Sequence, residues 1–227
     1  MEYIGKELYL FEKAVHWKKY WSNQIAPYIH GDVLEVGAGI GANAPLFAGS
    51  DFKKWTCLEP DPALLLECRK RLGNLPRYDF VTGTIGDIQS KFDVIFYIDV
   101  LEHIEEDSAE MRRAAERLNP GGTLIILVPA HQWLFSPFDA AAGHFRRYTK
   151  KSLKSVGAPT TTLKRLIYLD CVGFFASLTN KILLKQSVPS DAQIKTWDSL
   201  LVPVSTLIDP LIGHTMGKSV LGIWTKE

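Results

Sequence analysis

The chain has 227 residues, 46% of them hydrophobic and 22% charged, and a formal net charge of +1. That length suits one domain with a two-sided sheet core, and the balanced charge excludes an overall drive toward nucleic acid or an anionic membrane. Cys57, Cys68 and Cys171 have no metal-type spacing and cannot pair off evenly, so the chain is expected to be cytoplasmic with idle thiols.

The first seven residues carry three charges, Glu2, Lys6 and Glu7, and are expected to lack the apolar core of a secretory signal. Leu10, Ala14, Trp17, Trp21 and Ile25 recur at spacings of three and four, which predicts a helix over 8–25 within an N-terminal helical segment, 1–30. A short strand at 32–36 runs into Gly37-Ala-Gly-Ile-Gly41, and 42–48 reads as a helix with Pro45 in its first turn. A second strand, 54–58, ends at Glu59; Asp61 and Pro62 then open a helix over 63–72. Strands are expected at 78–82 and 92–98, followed by a helix presenting Ile104, Met111, Ala115 and Leu118 on one face. Asn119-Pro-Gly-Gly122 reads as a turn into a fifth strand, 123–128.

Strands alternating with helices and reading as continuous apolar runs predict a doubly wound, mostly parallel α/β sheet. With last strands at 163–169 and 219–224, the sheet has seven strands and the whole chain forms one domain. Residues 130–160 form a substrate-side loop segment, and 171–209 read as a helical cap inserted between the last two strands. That insert is read as a lid, a homodimer surface or a membrane-facing patch. Its apolar run, 171–184, is too short to span a bilayer and is interrupted by Asn180 and Lys181.

The glycine loop sits where a strand turns toward a helix, so backbone N–H groups and missing Cβ atoms invite a ligand. Gly37-x-Gly39-x-x-Ala42 also fits a nicotinamide dinucleotide fingerprint, so an NAD-dependent oxidoreductase stays open at this point. Glu59, at the end of the neighbouring strand, is placed to accept both hydroxyls of a ribose diol.

Taken in order, four segments resemble class I S-adenosylmethionine-dependent methyltransferases. They are Val33-Leu-Glu-Val-Gly-Ala-Gly-Ile-Gly41, Leu58-Glu-Pro-Asp61, Phe92-Asp-Val-Ile-Phe-Tyr-Ile-Asp-Val-Leu-Glu-His103 and Leu118-Asn-Pro-Gly-Gly-Thr-Leu-Ile-Ile126. The resemblance implies a Rossmann-like methyltransferase fold with S-adenosyl-L-methionine as cofactor. Gly37, Gly39 and Gly41 would pack against its methionine part with Glu35 in support, and Glu59 and Pro60 would border the ribose. Thr84 and Ile85 would flank the adenine, with Asp87 as a competitor, and Asp99 and Val100 would lie beside the sulfonium. The segment around Gly143-His-Phe-Arg-Arg-Tyr-Thr149 looks like small-molecule and saccharide-associated members.

An activated methyl needs alignment, and a hydroxyl acceptor must also lose its proton. His144 and His131, after the fifth strand, are the candidate bases. Arg146, Arg147, Tyr148 and Trp133 are candidate acceptor contacts. His103 reads as a strut. No metal is expected, since neither a C-x-x-C pair nor a paired-histidine helix occurs. The expected reaction is methyl transfer to a hydroxyl, or less favoured an amine or carboxylate, of a small apolar or saccharide-containing molecule. A non-catalytic cofactor-binding subunit is the alternative from a different class.

Overall fold

The computed structural model describes residue 9 and residues 11–73, 75–179 and 190–227. Helix α1, Val15–Ile25, buries Trp17, Tyr20, Trp21 and Ile25. The predicted helix over 8–25 is broken at Ala14, which has a ψ of 73°, and its start falls partly outside the described residues. Strands follow as β1, His30–Val36, and β2, Asp51–Glu59. After helix α2, Pro62–Leu72, come β3, Tyr78–Thr82, and β4, Phe92–Ile98. Helix α3, Asp107–Glu116, leads to β5, Leu118–Pro129. Short helices α4, Pro137–Ala141, and α5, Lys150–Ser155, precede β6, Thr161–Leu169. Then come α6, Cys171–Thr179, α7, Asp191–Thr196, and α8, Val202–Leu211, before the last strand β7, Ser219–Lys226.

The seven strands form one sheet in the order β3-β2-β1-β4-β5-β7-β6. β1 to β5 pair in parallel, and β7 runs antiparallel to both β5 and β6. Strand order reverses between β1 and β4, which makes the carboxyl ends of those two strands the switch point where such sheets bind ligands. Two apolar layers sandwich the sheet. One holds Trp21, Phe47, Trp55 and Phe96, and the other Leu34, Tyr97, Ile126 and Trp224.

Three expectations about local structure need correction. The helix predicted over 42–48 is a single 3-10 turn, Ala44–Phe47. Asn43 turns inward to Glu35 at 2.9 Å, and Phe47 stacks on Trp55 with ring centroids 5.6 Å apart, so tertiary contacts outweigh helix propagation. Asn119–Gly122 is a bulge inside β5, not a turn before it. Leu118 pairs with Phe92 and Thr123 with Val94, the Asn119 amide donates to Asp93 at 2.8 Å, and Gly121 supplies a φ of 77°. Finally, α3 starts at Asp107, so Ile104 lies before it.

The insert between β6 and β7 packs into the core. Ile194, Trp197 and Val202 share a buried cluster with Trp17 and Trp21. Asp198 accepts the backbone N–H groups of His16 and Trp17 at 3.1 and 2.8 Å, placing a carboxylate at the positive end of α1. Asp170 accepts from Ser205 Oγ at 2.6 Å and Trp197 Nε1 at 2.7 Å, while Asp209 accepts from Tyr20 and from the Asp170 and Cys171 amides. No helix among the described residues is long and apolar enough to cross a membrane.

Candidate functional site

At the carboxyl end of β1 the chain turns through Gly37, Gly39 and Gly41, with φ of 69°, 52° and 73°. A Cβ on Gly37 would stand 2.5 Å from Val100 Cγ2, so a side chain there meets both strain and collision. Glu59, at the end of β2, is buried and takes the Gly39 N–H on one oxygen at 2.8 Å and the Asp61 N–H on the other at 3.0 Å. The two anchors expected from the sequence are thus one unit: the acid fixes the loop and keeps further lone pairs to accept from a ligand. Burial raises its pKa, opposed by those two hydrogen bonds.

Glu35 lies beneath this loop, 1% exposed, accepting from Trp55 Nε1 and Asn43 Nδ2 at 2.9 Å each. Burial pushes its carboxyl up to about 7 against both hydrogen bonds. A carboxyl whose folded pKa is raised gives stability below its unfolded value, about 4.5, that is lost as pH climbs through the folded one. Unfolding free energy is therefore expected to fall between about pH 4.5 and pH 7, and Glu35→Gln to flatten that decline in urea titrations across the window. An unchanged slope would mean that Glu35 is not held protonated.

Pro60 follows Glu59 on the surface. Thr84 caps the 3-10 turn Ile85–Asp87, and its N–H and hydroxyl both go to Asp87 at 2.8 and 3.0 Å. The Ile85 side chain is buried in the core. A ligand contact at 84–85 would therefore use backbone groups, while one oxygen of Asp87, Oδ2, is held locally.

Beside the switch point opens a cavity of about 980 Å³. Gly37, Ala38, Asp99 and Val100 border it on the sheet side, α1 contributes Trp17 and Trp21, and the insert contributes Gly173, Ile194 and Trp197. Asp99 has a φ of 53°, the kind of strained backbone that marks functional positions. Its side chain is exposed into the cavity, and desolvation by the surrounding protein raises its carboxyl to about 6, opposed by the charges of His144, Lys218 and Arg147. Lys218 Nζ lies 4.1 Å from the Trp197 ring centroid, and burial lowers its pKa.

His144 is on the cavity wall and His131 is not. His144 Nδ1 meets Asp139 Oδ1 at 3.0 Å. Asp139 also takes Arg147 Nε and Nη2 at 2.7 and 2.9 Å and Ser136 at 2.8 Å. His131 instead contacts the Gly217 carbonyl at 3.1 Å and stacks on Tyr168. Its φ of 66° and these contacts make it a strut of the β5–β7 junction.

The four candidate acceptor residues are also sorted by the structure. Arg147 reaches the cavity wall but is committed to Asp139. Arg146 pairs with Asp107 at 2.7 Å, and Tyr148 donates to the same carboxylate at 2.8 Å, so both pin α3 to the chain after β5. Trp133 packs on Phe174 and His131. Arg146, Tyr148 and Trp133, expected at the acceptor, do not border this cavity.

Sequence reasoning gave no role to Asp139, Lys218 or Glu102. Ser136-Pro-Phe-Asp139 is a capping box, whose spacing was a readable signal for a fixed carboxylate. Nothing local marks Lys218, which reaches the cavity through pairing of β7 with β5.

Residues 34–124 match the family described as "Methyltransferase domain". This segment holds the glycine loop, Glu59, Asp99 and the bulged entry to β5. A trans-aconitate 2-methyltransferase of Deinococcus radiodurans is 26% identical to the chain over 128 residues, covering 52% of this chain and 49% of that one. A ubiquinone biosynthesis O-methyltransferase of Azorhizobium caulinodans is 28% identical over 100 residues, 41% of this chain and 38% of the relative. The chain thus matches half or less of the length of these curated relatives. Among solved structures, the N-methyltransferase NodS of Bradyrhizobium japonicum with S-adenosyl-L-homocysteine aligns at TM-score 0.59 and 14% identity, covering 95% of this chain and 87% of that one. An S-adenosylmethionine-dependent methyltransferase of Mesorhizobium loti aligns at 0.64 and 12% identity, over 92% and 98%. These structural likenesses extend the methyltransferase fold across β6 and β7.

Proposed function

We propose that this chain is a cytoplasmic S-adenosylmethionine-dependent methyltransferase whose acceptor is a small molecule bearing a hydroxyl group, of apolar or saccharide-containing type. The observation that carries the reading is the Glu59–Gly39 pair beside the switch point, whose loop neighbours Gly37 and Ala38 border a cavity with room for a methyl acceptor. The residues fit the cofactor. The positive-φ glycines admit close backbone approach, Glu59 has acceptor capacity for a ribose diol, and Asp99 offers a carboxylate on the sulfonium side. When bound, S-adenosylmethionine supplies a methyl already activated on sulfur.

The chain's task is then alignment and one proton transfer. The acceptor oxygen forms the O–CH3 bond as the S–CH3 bond breaks with its electron pair passing to sulfur. His144, oriented by Asp139 through Nδ1, has Nε2 available for the hydroxyl proton. Trp17, Trp21, Ile194 and Trp197 give the acceptor space an apolar side, which favours a substrate with an apolar body. The sulfur-dependent reading is preferred to NAD chemistry because Glu35 and the Asn119–Gly122 bulge accompany the glycine loop.

Glu59→Ala is expected to weaken S-adenosyl-L-homocysteine binding by about 1.5–3 kcal/mol, the range for hydrogen bonds to a charged group, or roughly 10–150-fold. Titration calorimetry on a variant with native circular dichroism checks it. Undiminished affinity would put the ribose elsewhere.

A further inference from the structure

Glu102 is fully buried, and neither of its carboxylate oxygens has a hydrogen-bond partner among the described residues. A carboxylate in that position is costly unless a cation reaches it. The nearest chemistry is histidine. Ligand-capable atoms of Glu102, His103 and His144 all lie within 4.8 Å of one another, and the two imidazole rings meet edge to face with centroids 4.6 Å apart.

Each ring already has one hydrogen-bond partner. His144 Nδ1 is engaged by Asp139 at 3.0 Å, leaving Nε2 uncommitted, and Asp139 is in turn locked by Arg147. The His103 ring bonds to the Gly143 carbonyl. Imidazoles that ligate metals are oriented in this manner, one nitrogen donating to a carboxylate or carbonyl while the other binds the ion. Glu102 and His144 also border the large cavity, so an ion here would keep open positions toward the acceptor space.

We propose that Glu102, His103 and His144 form a binding site for one divalent transition-metal ion, with its open coordination positions facing the acceptor. Two imidazoles and one carboxylate select a first-row ion such as Zn²⁺, Mn²⁺ or Fe²⁺ over Mg²⁺ or Ca²⁺. Ligands about 2.0–2.2 Å from such an ion stand nearer together than the present spread, so small side-chain rotations complete the site. The site is independent of the methyltransferase reading. Its role, polarising the acceptor hydroxyl, rests on that reading: His144 Nε2 is a ligand when the ion is bound and the proton acceptor only in the metal-free chain.

The test uses full-length protein freed of metal by chelator, with Co²⁺ as the probe and Zn²⁺ as competitor. One Co²⁺ per chain is expected by equilibrium dialysis, with visible d–d absorption that Zn²⁺ abolishes. Glu102→Gln and His103→Asn should each weaken uptake at least 10-fold while S-adenosyl-L-homocysteine binding, measured separately by calorimetry, stays at wild-type strength and reports folding. Absence of stoichiometric Co²⁺ and Zn²⁺ uptake by wild type would overturn the site, as would full uptake by both folded variants. Normal metal uptake with no cofactor binding would leave the site standing and remove its assigned role.

Discussion

Single-turnover methyl transfer by His144→Ala is expected to fall about 10²–10⁴-fold, the range for losing a positioned proton acceptor. The expectation follows from geometry. His144 is the histidine on the cavity wall after β5, and its Nδ1 is fixed by Asp139, which leaves Nε2 as the nitrogen open to a proton. Cofactor affinity should survive, because Glu59 and the glycine loop are held by contacts that do not involve His144. His131→Ala is the comparison. Its ring is committed to Gly217 and Tyr168, so its loss should lower stability more than the chemical step. A wild-type rate and pH profile in His144→Ala would reduce the reaction to alignment alone.

The second large effect is on stability. Asp139 is fully buried and accepts from Ser136, His144 and Arg147. Asp139→Ala strips the counter-charge from an Arg147 side chain that is only 10% exposed, a type of change that costs about 3–5 kcal/mol. Burial alone would raise the Asp139 pKa, but the His144 and Arg147 hydrogen bonds and the Arg147 charge hold it well below the ordinary carboxylate range. A depressed carboxyl contributes stability above its unfolded value, near 3.8, that is lost as pH falls through the folded one. Urea denaturation at pH 7 should therefore separate wild type from Asp139→Ala widely, and the gap should narrow below about pH 4. A gap that does not change with pH would mean that the carboxylate charge is not what stabilises the segment.

The cofactor half was legible in the sequence because its signals are local. A strand feeding glycines, an acid closing the next strand, and Asp61-Pro62 opening α2 each declare themselves within a few residues. The bounds of β3 and β4 followed from apolar runs closed by turn residues. The failures came where distant contacts decide. Residues 42–48 look helical alone, yet Glu35 and Trp55 draw Asn43 and Phe47 inward. The sequence reads 171–209 as a cap but does not show how it is anchored. Asp170, Asp198 and Asp209 tie its described parts to α1 and β6, while 180–189 lie outside the described residues.

The acceptor side was legible only in part. The segment after β5 stands out in the sequence, but a row of His, Arg, Tyr and Trp does not reveal which members border the cavity. Pairing of β5 with β7 and the Asp107 and Asp139 anchors make that choice, sending His144 to the cavity and Arg146, Tyr148 and His131 into structural bonds. Glu102 and His103 are adjacent in sequence, but their neighbourhood with His144 is created by folding.

The central claim is that the switch point between β1 and β4 binds S-adenosylmethionine. Titration calorimetry of the wild-type chain with S-adenosylmethionine, S-adenosyl-L-homocysteine and NAD tests it most directly. One molecule per chain of either sulfur nucleoside, with no detectable heat from NAD, is the predicted result. Micromolar NAD binding, with no binding of the sulfur nucleosides, would contradict it.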